Sequence, residues 1–127
     1  VMPEFWTRGG DLPVSVRSDR PTTTAGILHA HWGCGLPSGV VVANPIPVTD
    51  EADPQTIADA IAGGLAAADA AGVHGRDVTP FLLAHIGQTT RGASLEANVA
   101  LVKHNAAVAA EIAAALAALP TLGVERN

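Results

Sequence analysis

Residues 90–113, TRGASLEANVALVKHNAAVAAEIA, decide how the rest of this 127-residue chain is read. Gly92 breaks the segment before it, and Ser94 offers a hydroxyl to cap the first free backbone N–H groups of a helix. Glu96 then falls in the first turn, where the helix dipole favours negative charge. Leu95, Val99, Val102, Ala106, Ala109, Ala113 and Leu116 recur at the spacing of a buried helical face. Beside them runs a second stripe: Asn98, Leu101, Asn105, Val108 and Ile112. Its two asparagines lie seven residues apart, so they point the same way about two turns from each other. Asn is a mediocre helix former, and burying its amide unpaired costs a few kcal/mol. Two of them beside an apolar seam need a use. One is hydrogen bonding to neighbouring loops, the expectation for Asn105. The other, for Asn98 near the helix start, is a ligand.

Composition narrows the class. The length allows one domain at most. Apolar residues make up 48% of it, ample for a core, but alanine supplies much of that share and stability must rest on close helix packing. A net charge of −5 argues against a nucleic-acid or membrane-surface binder, both of which need basic surface. Cys34 is the only cysteine, which excludes an internal disulfide and fits a reducing cytoplasm, the expected location. No stretch reads as a signal peptide, and the alanine-rich run after Ala106 is interrupted by Glu111 and reads as too short to span a membrane. The first residue is Val, which suggests a processed or truncated chain.

Along the chain, residues 1–11 read as irregular, broken by Pro3 and by Gly9 and Gly10, with Phe5 and Trp6 as aromatic anchors or pocket walls. Residues 12–17 carry the alternation of a short strand. Asp19, Pro21 and three threonines start a helix that runs to about Trp32. After the Gly-rich turn 33–39, Val40, Val41, Val42 and Ala43 form a continuous apolar run, the pattern of a parallel strand covered on both faces. It ends in Asn44-Pro45-Ile46-Pro47, and ligands of open α/β sheets bind beyond such strand ends. Asn44, which offers a donor and an acceptor, is therefore a candidate pocket residue; the alternative is a proline-stiffened turn that Asn44 caps. Asp53 and Pro54 start the next helix, with Ile57, Ile61, Leu65 and Ala68 as its apolar side and Gly72 as its stop. Gly63 and Gly64 inside it suggest close approach of another element. Thr79 and Pro80 open a short apolar helix through Phe81, Leu82, Leu83 and Ile86, and the residues from Pro120 onward read as frayed. Two strands and four helices make an α/β segment, but two strands cannot build a doubly wound sheet alone.

Chemistry-bearing patterns are few. His29, His31 and Cys34 lack a fourth zinc ligand, and positions two apart on a helix face away from each other. Lys103, the only lysine, falls with Glu96 away from both stripes and reads as solvated. Asp50, Glu51 and Asp53 read as a helix-start cluster. No nucleophile–base arrangement or phosphate loop is visible.

The run Ser94-Leu95-Glu96-Ala97-Asn98-Val99-Ala100-Leu101-Val102-Lys103-His104-Asn105-Ala106 resembles the C-terminal signature of the pseudouridine-5′-phosphate glycosidase family. So do Gly39 to Pro47, Val78 to Leu83 and the opening Met2-Pro3-Glu4-Phe5-Trp6, in the family's order and at about its spacing. The resemblance covers the whole chain but only the C-terminal part of the family's protein. It implies that residues 1–127 are the C-terminal part of a single α/β glycosidase-like domain, a parallel-sheet α/β/α fold incomplete by itself. The activity it implies is reversible cleavage of the C–C glycosidic bond of pseudouridine 5′-phosphate to uracil and ribose 5-phosphate. That chemistry runs through a lysine imine, helped by an acidic residue and manganese(II). By the resemblance, the lysine, the acid and the metal ligands all precede the block at Met2, so neither catalytic nor metal residues are expected in this segment, and Lys103 is not the imine lysine. Asn98 and Asn44 are the expected substrate-binding residues. The resemblance further implies a phosphorylated sugar or nucleotide substrate, dependence on the missing N-terminal part, and a homotrimer. Glu4, Pro37-Ser38 and Gln88-Thr89-Thr90 depart from the family's pattern, which leaves the aglycone open and gives as alternative a C-glycoside synthase acting on an aromatic natural product. A separate alternative is a non-catalytic α/β binding module.

Overall fold

A computed structural model describes residues 1–121. Its elements are helices: α1 (Pro21–Gly33), α2 (Pro54–Ala70), α3 (Val78–Thr89) and α4 (Ala93–Ala117), with single 3-10 turns at Val48–Asp50 and Gly75–Asp77. They form two main pairings, α1 against α4 and α2 against α3. Ile46, Ala97 and Leu101 make the buried centre of one part, and Ile57, Ala60 and Ile86 that of the other. Trp6 and Ala52 pack against both and bridge them, tied by the Ala52 N–H donating to the Trp6 carbonyl at 3.0 Å. Of the two aromatics at the start, Trp6 is thus the anchor, while Phe5 stays exposed and meets the Trp6 ring edge-on at 5.1 Å.

Helix boundaries follow local chemistry. The Asp53 carboxylate accepts from the Thr56 N–H at 2.8 Å and from its hydroxyl at 2.6 Å, with Pro54 in the first turn, so α2 starts where a side-chain cap is present. It ends at Gly72, whose φ of 66° lets the chain turn while the N–H groups of Gly72 and Val73 return to the last helical carbonyls. The close approach expected at the glycine pair is found at Gly64. A Cβ there would lie 2.9 Å from Leu82 Cδ2 and 3.2 Å from His85 Cδ2. On α2 the buried residues are Ile57, Ala60, Gly64 and Ala68, while Leu65 is exposed, so the packed side is one position away from the apolar stripe read in the sequence.

Four further expectations are corrected. Neither 12–17 nor 40–43 forms a strand, and no strand occurs among the described residues. A strand exists only as part of a ladder. The backbone groups of 40–43 find no backbone partner among the described residues, and Val41 is 87% exposed. The parallel sheet is therefore not part of the observed fold. Second, Ser94 is not the cap of α4. Gly92, in the left-handed region with φ 90°, holds that position, and Ser94 is buried inside the first turn. Third, the stripes of α4 exchange roles. Leu95, Val99 and Val102 are exposed, whereas Leu101 and Ile112 of the second stripe are buried together with Ala97. Periodicity identifies an apolar face but not what covers it, and α4 is apolar on nearly every side. Fourth, α4 is an unbroken 25-residue helix, long and apolar enough by length and composition to cross a membrane. It packs against α1 along one side, and alanine accounts for much of its hydropathy. The frayed tail falls mainly on 122–127, outside the described residues. Pro120 is tied down, since His29 Nε2 donates to its carbonyl at 2.7 Å.

Candidate functional site

The site is built where the proline loop 44–47 meets the first half of α4. Two features fix the helix start. Arg91 (φ 52°) and Gly92 (φ 90°) are both left-handed, giving the sharp turn from α3 into α4. Arg91 is the one described non-glycine residue in that region, a conformation sustained only where the surroundings enforce it. The enforcement comes from Thr90. Its hydroxyl donates to the Ile86 carbonyl at 2.7 Å, is hydrogen-bonded to the Ser94 hydroxyl at 2.9 Å, and accepts from the Ser94 N–H at 3.3 Å. Both side chains are buried. The capping hydroxyl of α4 is thus on Thr90, one turn earlier than the sequence places it. Thr90, four residues before Ser94 with a glycine between, is the signal that marks it.

The loop is held from the other side. Ile46 is fully buried against Ala97 and Leu101, and the Arg8 guanidinium donates to the Ile46 carbonyl. The Arg8 N–H also donates to Glu51 at 2.6 Å, so the N-terminal segment clamps both ends of the 3-10 turn. Nothing in the sequence marks Arg8 for this role, because the contact joins residues 38 positions apart.

Asn44 and Asn105 are brought together. Asn44 Nδ2 donates to Asn105 Oδ1 at 2.9 Å, the pairing expected for Asn105 with a neighbouring loop. Asn98 is half-buried on the same stripe, about 20° round the axis from Asn105 and about 10 Å along it. Its carboxamide makes no side-chain hydrogen bond among the described residues, and it lies between the packed face of α4 and the exposed apolar face of Leu95 and Val102. Whatever covers that exposed face also meets Asn98.

The remaining polar groups do not converge. His31 Nε2 reaches Ser38 at 3.1 Å while His29 reaches Pro120, so the two rings of the H-x-H pattern diverge. Cys34 is exposed. Among the described residues no three of His, Cys, Asp or Glu form a group able to hold a metal ion, so these side chains do not by themselves build a metal centre. Lys103 is exposed and, with Glu96, Asp50, Pro47 and Val99, lines an open groove of about 650 Å³ between the 3-10 turn and α4. Leu95 of the exposed apolar face lines it too, and neither asparagine does.

Residues 1–115 match the family model described as indigoidine synthase A like protein. The chain belongs to that family. Among its relatives, a pseudouridine-5′-phosphate glycosidase of Hahella chejuensis is 48% identical over 114 residues, which are 90% of this chain and 38% of the relative. One of Methylobacterium nodulans is 46% identical over 114 residues, covering 90% and 34% respectively. The chain thus spans little more than a third of the length of the curated relatives it matches. Its fold is similar to that of the prealnumycin C-glycosynthase AlnA, solved with ribulose 5-phosphate, at a TM-score of 0.79 and 31% identity, covering 92% of this chain and 40% of that one.

Proposed function

We propose that this chain serves as the C-terminal part of a pseudouridine-5′-phosphate glycosidase, which reversibly cleaves a C-glycosidic bond to give uracil and ribose 5-phosphate. The observation that carries the reading is 46–48% identity to such glycosidases over 90% of the chain. In this reading the catalytic lysine, the acidic residue and the manganese ligands stand outside these residues. The segment supplies uncharged amides: Asn98, and Asn44 on its rigid loop, bind sugar or uracil oxygens and N–H groups without titrating. The positive end of the α4 dipole next to Asn98 favours an oxygen-rich ligand. The apolar run 40–43 and the exposed face of Leu95, Val99 and Val102 are covered by the rest of the α/β/α domain, which supplies the parallel strands that these residues lack. A cytoplasmic homotrimer acting on a phosphorylated pentose completes the reading.

The similarity to a C-glycosynthase supports a second reading, in which the acceptor is an aromatic natural product instead of uracil. Both share the sugar phosphate. The test is a chimera in which residues 1–115 replace the corresponding segment of the Hahella chejuensis glycosidase. Pseudouridine 5′-phosphate formation from uracil and ribose 5-phosphate supports the first reading. A folded chimera that condenses ribose 5-phosphate only with an aromatic acceptor supports the second, and a folded chimera inactive with both overturns both.

A further inference from the structure

We propose that Asn105 is a positioning residue. It holds the Asn44 carboxamide in one orientation, so that Asn44 offers its carbonyl oxygen to a hydroxyl of the sugar-phosphate substrate. This rests on the reading of Asn44 as a substrate-facing residue.

Asn44 Nδ2 donates to Asn105 Oδ1 at 2.9 Å across 61 residues, the one side-chain hydrogen bond between the proline loop and α4 among the described residues. The loop does not need that bond to keep its path. Its backbone is fixed by the buried Ile46 side chain, by Arg8 on the Ile46 carbonyl, and by the restricted φ of Pro45 and Pro47. Asn105 is exposed, and an exposed neutral hydrogen bond adds little to stability. What the bond does fix is the rotation of the half-buried Asn44 amide. Turning Asn44 alone would set two carbonyl oxygens against each other. With one N–H engaged, the Asn44 oxygen is the group left free to accept. Asn98 occupies the same stripe two turns nearer the helix start, so the two amides flank one strip of α4 along which a ligand lies.

The test uses the active chimera and the 127-residue chain together. Loss of one neutral hydrogen bond predicts that Asn105→Ala raises KM for ribose 5-phosphate about five- to tenfold, with kcat changed by less than about twofold. Asn105→Asp, which keeps the acceptor, should return KM to within about twofold of the parent. Asn44→Ala should match Asn105→Ala, and the double variant should be no worse than either. In the 127-residue chain, Asn105→Ala should move the Asn44 side-chain amide resonances to those of a free amide at unchanged Tm. Unchanged KM in an active Asn105→Ala chimera, additive effects, an Asp variant no better than Ala, or unmoved Asn44 resonances would each overturn the role. An inactive parent chimera would instead remove the functional reading and this role with it.

Discussion

Gly64 of α2 lies directly against His85 of α3: a Cβ on Gly64 would sit 3.2 Å from His85 Cδ2, and 2.9 Å from the tip of Leu82. This contact sets the spacing of the α2–α3 pair and, through Ile57, Ala60 and Ile86, the floor on which Trp6 rests.

Neighbouring glycines should therefore respond in opposite directions to the same change. At Gly63 the nearest atom to an added Cβ is His85 Nε2 at 3.5 Å, an ordinary contact. Gly63→Ala should stabilise by about 0.5–1 kcal/mol through helix propensity. Gly64→Ala gains the same propensity but overpacks the His85 ring, for a net loss of about 1 kcal/mol. Urea unfolding of both variants checks the contrast, and equal effects would refute the packing argument.

The cap of α2 carries a pH dependence. Hydrogen bonds from the Thr56 side chain and then from its N–H hold the Asp53 carboxyl below its ordinary value. A lowered folded-state value means stabilisation that is fully present above the ordinary aspartate value and lost as pH falls from there through the lowered one. Asp53→Asn keeps an acceptor at the cap but cannot titrate, so its Tm should fall less steeply than the parent's on acidification below about pH 4. Parallel Tm–pH curves would show that Asp53 contributes no such linkage.

Asn98 is the residue on which the functional reading depends most. In the active chimera, loss of a hydrogen bond to a charged or developing-charge group predicts that Asn98→Ala lowers turnover about ten- to a hundredfold. Its Tm should change little, because the carboxamide supports no bond within the described fold. Full activity on pseudouridine 5′-phosphate would remove Asn98 from the site without touching the family assignment.

Exposure of the α4 apolar face can be tested twice. Leu95 and Val102 are 66% and 59% exposed. Leu95→Glu combined with Val102→Glu should change the stability of the 127-residue chain by no more than about 0.5 kcal/mol. If the rest of a glycosidase-like domain covers that face, the same pair should prevent the chimera from folding or assembling, as size-exclusion chromatography would show. A soluble, active double-variant chimera would mean that the face stays open.

Local chemistry made four helices legible. Pro21, Asp53-Pro54 and Gly72 punctuate the chain through φ restriction, capping and left-handed backbone, properties that act within a turn. The motif residues also sufficed to indicate the family, since blocks of apolar and amide residues at fixed spacing are a property of the sequence itself. Tertiary structure decided the rest. Whether 40–43 becomes a strand depends on a partner backbone, which no local pattern supplies, and among the described residues none is present. Which apolar face of α4 packs could not be read from a helix with apolar residues on several sides; Ile46 and Trp6 cover the side of Ala97 and Leu101. The Asn44–Asn105 bond and the Arg8 clamp join residues far apart in sequence, and only the folded path of the chain brings them within hydrogen-bond distance.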